Sequence, residues 1–334
     1  MNRNHRLDLL RAVAIIAVII IHTFYGVNSS SFEIVIAGWL RTITRPTIAI
    51  FLFVSGMLFS RHHPKIQYLM KRYQRVLVPY TLFSVCYLIV VHGSSVIDYI
   101  IHNPLRMAAF YSIGQIAGQY YFVFVILYIY LMAYFVLNTP RLNRHLVTIT
   151  IIFCLLNLLQ GAYFDIVMQN VSFPNEHIPA VFIYRSPLYW PVFFFLGMCV
   201  QRFNLDTWVL DYSYSIRVVW FITFVVYTGL FLANVTAIDG YNSIIGTIYS
   251  FATIFALFTL NWQHKVITFL SRISYYIYLS HIVVLEVLYL VLAPHDFSLG
   301  TACLYFIVAL FVPIALYFIL RSVLKDKSHV LIGA

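Results

Sequence analysis

The 334-residue chain is 62% hydrophobic and only 10% charged, with a formal net charge of +10. A soluble globular domain carries about 25% charged residues, so the composition excludes that class, and the high hydrophobicity excludes an intrinsically disordered chain. The remaining class is an all-α, polytopic transmembrane helical bundle. A span requires about 20 apolar residues, and this length holds about ten of them.

Apolar stretches, taken in chain order, predict about ten membrane spans in a single domain over residues 1–334, with no appended soluble domain. The segment 32–42 is apolar but interrupted, which is typical of an interfacial helix. The cysteines are scattered singly without metal-ligand spacing, so no metal site is predicted. The predicted spans are residues 9–27, 44–60, 76–93, 120–137, 146–160, 187–201, 217–236, 242–260, 267–292 and 300–320.

The distribution of basic residues indicates the orientation in the membrane. Lys and Arg collect in loops on the cytoplasmic side. With the N-terminus inside, seventeen of the 21 basic residues fall in inner segments and four in outer segments. This ratio predicts that both termini are cytoplasmic. The four outer residues are Arg41, Arg45, Arg106 and Arg185.

The first span contains three ionisable residues, Asp8, Arg11 and His22. Arg11 and His22 are about three helical turns apart, which predicts that both lie on one helix face about 16 Å apart along the axis. Asp8 precedes Arg11 by one turn and can pair with it. Ionisable residues inside a membrane are costly and usually functional, and imidazole suits a general base that takes a proton from a hydroxyl. The alternative is a core histidine that is hydrogen-bonded to a neighbour.

A basic cluster, Lys71, Arg72 and Arg75, is predicted in the inner loop between the second and third spans. Guanidinium groups bind phosphate bidentately, and Arg72 and Arg75 face one way if helical, so a phosphate-bearing ligand is indicated. The alternative is a topology determinant beside anionic lipid. Pro79 follows the cluster and would fix the entry of the next span or kink it.

Two further motifs lie within predicted spans. Ser55 and Gly56 in the second span favour close helix packing, and Ser55 has no sequence-visible activation as a nucleophile. In the ninth span, Tyr275 and His281 either contact a polar ligand or cross-link helices.

Two long connections, 93–119 and 161–186, are predicted on the outer side. Polar loops at one end of a bundle often line a binding site, although solvated connectors fit the composition equally well. The second connection holds the polar run 175–177. Aromatic side chains near these loops suit stacking on sugar rings or a place at the bilayer interface: Tyr163, Phe164, Tyr184, Tyr189 and Trp190.

In this order the motifs resemble the acyltransferase-3 family of integral membrane O-acyltransferases, which includes surface-glycan O-acetyltransferases. The family's first span carries Arg-x(10)-His with an Asp three residues before the Arg, as in residues 8–22. Its R-x-x-R ahead of a Pro matches residues 72–79, and its F-x-x-S-G-like run matches the segment around 55–56. Its late S-Y-x-I-Y-L-x-H motif matches residues 274–281.

The chain departs from the family pattern at Ala12, where many members have glycine, and at residues 119–122, which replace a Trp-Phe pair. The resemblance implies an enzyme of the bacterial cytoplasmic (inner) membrane. It would move an acyl group, expected to be acetyl, from cytoplasmic acyl-CoA to a hydroxyl of a glycan or lipid-linked sugar. Acetyl-CoA would be a co-substrate, no cofactor would be tightly bound, and nucleic acid is not an expected partner.

The resemblance also implies roles for the motif residues. His22 is expected to deprotonate the hydroxyl or to carry the acyl group transiently. Its catalytic partners would be Arg11 and Asp8. The acyl-CoA-binding residues would be Arg72, Arg75 and Lys71. The substrate-binding residues would be Tyr275, His281 and Ser55.

The alternative function is a membrane transporter that exports a glycan or a small solute. Intramembrane His and Arg also occur in transport paths, and Glu286 is the main further charge in the later spans. Paired spans interrupted by Gly or Pro, which are typical of transporter binding sites, are not obvious in the sequence.

Overall fold

The computed structural model describes residues 4–60, 65–163, 185–233, 243–292, 296–325 and 331. Within these ranges every regular element is a helix and there is no strand, which confirms the all-α prediction. Several of the helices are long and strongly apolar, so the chain is a multi-pass membrane protein.

Numbered in chain order, the α-helices are α1 His5–Thr23, α2 Ser31–Ile43, α3 Thr47–Phe59, α4 Ile66–His92, α5 Val96–His102, α6 Pro104–Ser112, α7 Tyr121–Asn138, α8 Pro140–Arg144, α9 Leu146–Tyr163, α10 Pro191–Arg202, α11 Leu205–Asp211, α12 Ser213–Leu232, α13 Ile244–Phe258, α14 Lys265–Leu292 and α15 Leu299–Leu324.

Among the described residues, seven helical segments have the length and composition to cross a membrane. They are Ser31–Phe59, Ile66–His102, Gly118–Asn138, Leu146–Tyr163, Ser213–Leu232, Lys265–Leu292 and Leu299–Val323. Two more helices, α10 and α13, are apolar but shorter. Helix α1 has 19 residues and carries Arg6, Asp8 and Arg11 in its first half. The count of ten spans and the cytoplasmic termini stay predictions.

Three peripheral helices, α9, α12 and α15, present large apolar side chains on the outside of the bundle. Leu159 is 66% exposed, and Phe221 and Phe311 are each 59% exposed. Exposed apolar side chains of this size are unfavourable in water but match lipid tails. Away from prolines and helix ends, the backbone groups of a helix are hydrogen-bonded within the segment, which suits the hydrocarbon core of a membrane.

The buried centre of the bundle is formed by α1, α3, α10 and α14. Helices α3 and α10 approach so closely that glycine is needed on both. A Cβ atom added to Gly56 would overlap the backbone carbonyl of Phe194, and one added to Gly197 would overlap that of Phe53. The interpretation of Gly56 as a packing residue is therefore confirmed, since it lets α3 lie close against α10.

The prediction of an inner loop at residues 71–75 is wrong, because α4 begins at Ile66 and continues without a break to His92. Leu69 is buried and the Tyr73 hydroxyl donates to the Leu127 carbonyl at 2.8 Å, so contacts with the bundle hold this polar stretch as helix. Pro79 lies inside α4 rather than at its start. Since proline has no N–H, the Arg75 carbonyl lacks its usual helical partner.

The segment predicted as an interfacial helix is α2, which continues the apolar run into α3; its interfacial placement stays a prediction. The connection 93–119 contains α5 and α6. In the other long connection, residues 175–177, Phe164 and Tyr184 lie outside the described residues.

Candidate active site

Two cavities lie end to end along the same five helices, α1, α3, α4, α7 and α14. The first, of about 210 Å3, is called the arginine cavity because Arg11, Arg72, Arg75 and Arg272 all line it. The second, of about 540 Å3, is called the histidine cavity because His22 lines it. Each of the five helices contributes side chains to both cavities.

Helix α1 places one residue of the first-span motif in each cavity. Arg11 lines the arginine cavity and His22 lines the histidine cavity. The rise of an α-helix separates them by about 16 Å along the axis. The prediction that both face the same side of the helix agrees with the structure, because Arg11 and His22 line neighbouring cavities that the same five helices form.

Asp8 is buried and lines neither cavity. Its Oδ1 atom accepts a hydrogen bond of 2.7 Å from the hydroxyl of Ser271 on α14. Ser271 itself lines the arginine cavity. Asp8 therefore ties α1 to α14 one turn from Arg11.

The basic cluster on α4 is divided by its positions around the helix. Arg72 and Arg75 line the arginine cavity, whereas Lys71 is exposed and lines neither cavity. The Arg72 guanidinium donates to the Tyr68 hydroxyl at 2.7 and 3.2 Å and lies 5.1 Å from the centre of the Tyr68 ring. Arg72 is thus held in place, while Arg75 lies at the exposed edge.

Ser55 and Tyr275, two of the predicted substrate-binding residues, both line the arginine cavity. The Tyr275 hydroxyl donates to the Val76 carbonyl on α4 at 2.8 Å. That bond joins α14 to α4 one turn before Pro79. The hydroxyl of Tyr275 is therefore a helix cross-link, and its ring forms part of the cavity wall.

His281, which the sequence predicts as a substrate-binding residue, lies beside His22 and lines neither cavity. The two imidazole rings have their centres 5.6 Å apart, and His281 is fully buried. Its Nδ1 lies 2.9 Å from the Ile277 carbonyl, a geometry in which Nδ1–H donates and Nε2 is left as an acceptor. Nε2 is buried without a hydrogen-bond partner among the described residues.

The wall of the histidine cavity combines charged and aromatic side chains. Arg41, Arg45 and Glu286 supply the charges, and the Arg41 guanidinium lies 4.5 Å from the centre of the Tyr25 ring. The sequence places Arg41 and Arg45 only as outer basic residues, so their presence beside His22 comes from the fold alone.

Of the aromatic residues predicted for sugar stacking, Trp190 lines the histidine cavity. Tyr189 is buried, and its hydroxyl is 3.1 Å from that of Thr247, so it is part of the core. Tyr163 is exposed at the end of α9.

Tyr278 lies between the two cavities; it belongs to the motif at residues 274–281, but the motif alone predicts no separate role for it. Of the residues that the structure describes, it alone lines both. Its hydroxyl donates to the Gln119 carbonyl, and its ring lies 5.7 Å from that of Phe122. Phe122 in turn lies 6.1 Å from Phe51. Phe51, Phe122 and Tyr278 are called the aromatic partition.

Comparison with known proteins gives the family. The model of an acyltransferase domain, Acyl_transf_3, matches residues 4–318. The chain belongs to the acyltransferase-3 family. The resemblance predicted from the motifs is confirmed, and the match contains every residue that lines the two cavities. Membership supports acyl transfer as the chemistry of this membrane protein.

Curated relatives are described as "Probable poly-beta-1,6-N-acetyl-D-glucosamine export protein". The proteins from Staphylococcus aureus strains MSSA476 and N315 are each 26% identical over 310 residues. The protein from strain MRSA252 is 25% identical over 310 residues. These alignments cover 85% of this chain and 83% of each relative. No solved structure matches the chain.

Proposed function

We propose that this protein transfers an acyl group, acetyl in the simplest case, from cytoplasmic acyl-CoA to a hydroxyl of a glycan or a lipid-linked sugar. The observation that carries the proposal is the end-to-end arrangement of a guanidinium-rich cavity and a histidine-lined cavity on one set of helices. A charged donor and an alcohol acceptor can then approach the same point from opposite ends.

The arginine cavity is suited to the diphosphate of coenzyme A. Four guanidinium groups line a space of about 210 Å3, and guanidinium binds phosphate oxygens bidentately. The orientation predicted from the basic residues puts this cavity at the cytoplasmic side, where acyl-CoA is found. The thioester arm would extend past the aromatic partition towards His22.

Direct transfer needs His22 as a general base. Its imidazole accepts the proton of the acceptor hydroxyl while the oxygen attacks the thioester carbonyl. The new C–O bond forms, the C–S bond breaks, and the coenzyme A thiolate leaves and receives the proton from the imidazolium. His281 would act as a positioning residue that keeps the His22 ring turned towards the cavity.

The covalent route uses the same residues in two steps. An imidazole nitrogen of His22 attacks the thioester carbonyl, the C–S bond breaks, and coenzyme A leaves as the thiol. The acceptor hydroxyl then attacks the acyl-imidazole, which forms the ester and returns the neutral ring. Rapid mixing that detects a burst of coenzyme A before ester appears would distinguish this route from direct transfer.

The histidine cavity is suited to a sugar. At about 540 Å3 it falls in the usual size range of small-molecule sites. Trp190, Tyr25 and Tyr121 line it together with charged side chains that can hydrogen-bond hydroxyl groups. The description of the curated relatives names a polymer of β-1,6-linked N-acetylglucosamine, so oligosaccharides of this type are the first acceptors to test.

Mass spectrometry of surface glycans tests this function in cells. Glycans from cells that carry the gene should contain an added acyl mass that is absent from cells without it and from cells with His22→Ala. The matched control is His145→Ala, because His145 is exposed and lines neither cavity. Acylation that persists in a well-expressed His22→Ala variant would contradict the mechanism.

Export of a glycan is the second candidate, and the description of the curated relatives as probable export proteins favours it. A cavity with an intramembrane histidine and two arginines could also bind a sugar in transit. Purified protein in lipid vesicles separates the two functions. Uptake of a labelled oligosaccharide without consumption of acetyl-CoA would support export, whereas ester formation coupled to coenzyme A release supports transfer.

A further inference from the structure

A third cavity, of about 340 Å3, opens beside the arginine cavity at the N-terminal end of α14. Its wall includes His5, His264, Lys265, Phe269 and Arg272, and it is called the basic groove. Of the residues that the structure describes, Arg272 alone lines both the groove and the arginine cavity. The groove, the arginine cavity and the histidine cavity therefore follow one another along α14.

We propose that the basic groove binds the adenosine 3′-phosphate end of the acyl-CoA donor. The proposal rests on the acyl-CoA dependence of the proposed function and extends it, because it assigns the nucleotide to residues other than the arginines of α1 and α4. Lys265, Arg272 and Tyr278 follow one another along α14 at intervals of about 10 and 9 Å. Coenzyme A presents its nucleotide, diphosphate and pantetheine arm in the same order.

The charge of the groove matches a phosphomonoester, which carries about −1.5 to −2 charges at pH 7. Lys265 and Arg272 supply two cations, and a lysine ammonium binds phosphate as a compact point charge. His264 accepts the Val266 N–H on Nδ1 at 3.2 Å. Its ring proton is therefore on Nε2, where it can donate to a phosphate oxygen.

The groove also offers a fixed aromatic wall for a base. The Phe269 ring is stacked on Phe318 with ring centres 5.5 Å apart and an angle of 9° between the planes. Tyr317 meets it edge-on at 5.9 Å. Nucleobases pack favourably on aromatic side chains. Cations beside a fixed ring suit a nucleotide better than a bare phosphate, which has no base to bury.

Calorimetric titration of the full-length protein with CoA and with 3′-dephospho-CoA tests the groove. We expect CoA to bind at least about tenfold more tightly, because one charge-assisted contact is lost with the 3′-phosphate. Lys265→Ala should abolish that difference by weakening CoA alone, and Lys265→Arg should keep it. The matched control is Lys65→Ala, which removes one charge from an exposed residue that lines none of the three cavities.

Three results would contradict nucleotide binding in the groove. The first is equal affinity of the parent protein for CoA and 3′-dephospho-CoA, and the second is an equal loss of CoA affinity in Lys265→Ala and Lys65→Ala. The third uses adenosine 3′,5′-bisphosphate as a probe: its displacement by phosphatidic acid vesicles but not by phosphatidylcholine vesicles would assign the groove to a lipid phosphate.

The titration requires no turnover, so it tests nucleotide binding in the groove independently of acyl transfer. If CoA binding depends on the 3′-phosphate but the protein forms no ester, nucleotide binding in the groove is supported and acyl transfer is contradicted. If acetyl-CoA and acetyl-3′-dephospho-CoA form ester at equal rates, acyl transfer is supported and recognition of the 3′-phosphate by the groove is contradicted.

Discussion

The arginine cavity and the histidine cavity share five helices but differ in chemistry. The arginine cavity is small, about 210 Å3, and four guanidinium groups dominate its wall. The histidine cavity is about 540 Å3, and its wall mixes aromatic rings with charges of both signs. The difference teaches that one helical frame can carry two chemically distinct walls, one suited to a polyanion and the other suited to a sugar. The aromatic partition separates the two.

The largest expected effect is on the histidine side. His22→Ala should lower ester formation by at least about 100-fold, because a positioned general base contributes that much or more. CoA affinity should stay unchanged, since His22 lines only the histidine cavity. The measurements are initial rates with the purified protein and calorimetric titration with CoA. Equal loss in the His145→Ala control would point to a general defect instead.

A second variant addresses the arginine side. Arg72→Ala should raise the KM for acetyl-CoA by about 10- to 100-fold, because a charge-assisted hydrogen bond to phosphate is lost. The KM for the sugar should not change. Arg72→Lys should recover only part of the loss, as lysine cannot bind bidentately. Arg144→Ala, at an exposed site that lines none of the three described cavities, is the control. A change in the KM for the sugar alone would contradict the assignment of the donor to the arginine cavity and of the sugar to the histidine cavity.

A third variant removes the boundary between the cavities. Tyr278→Ala should raise coenzyme A release in the absence of acceptor by about tenfold, because water then reaches the thioester. Water attacks the carbonyl, the C–S bond breaks, and a carboxylate, a proton and the coenzyme A thiol result. Tyr278→Phe, which keeps the ring, should have a smaller effect. Tyr305→Ala is the matched control, since Tyr305 is buried, donates to the Leu288 carbonyl at 3.2 Å and lines neither cavity.

The smallest effect is expected at the aromatic wall of the histidine cavity. Trp190→Ala should raise the KM for the oligosaccharide by about 2- to 10-fold, as aromatic contacts contribute modestly beyond buried area. The KM for acetyl-CoA should stay constant, which is the reverse of the Arg72→Ala pattern. Trp208→Ala, at an exposed position outside both cavities, controls for the loss of an indole.

Local periodicity accounts for what the sequence predicts well. Arg11 and His22 share one helix face because of the geometry of a single helix. Arg72 and Arg75 face the same cavity because they are three residues apart on α4. The loop predicted around these arginines is wrong because contacts of Leu69 and Tyr73 with the bundle override the polar composition of this segment.

Residues that act through tertiary packing could not be predicted in the same way. Ser271 is remote from Asp8 in sequence, and only the packing of α1 on α14 joins them. The sequence identifies Arg272 only as an inner basic residue, whereas in the fold it lines both the basic groove and the arginine cavity. Tyr278 shares a helix face with Tyr275 and His281 at positions three apart. That spacing is the signal that could have found it.

The most direct test of the central claim places donor and acceptor on opposite sides of a membrane. Vesicles containing the protein would enclose a β-1,6-linked N-acetylglucosamine oligosaccharide, and labelled acetyl-CoA would be added outside. We expect labelled ester inside the vesicles and coenzyme A thiol outside. Ester that forms only when both substrates are on the same side would contradict a transfer between two opposed cavities.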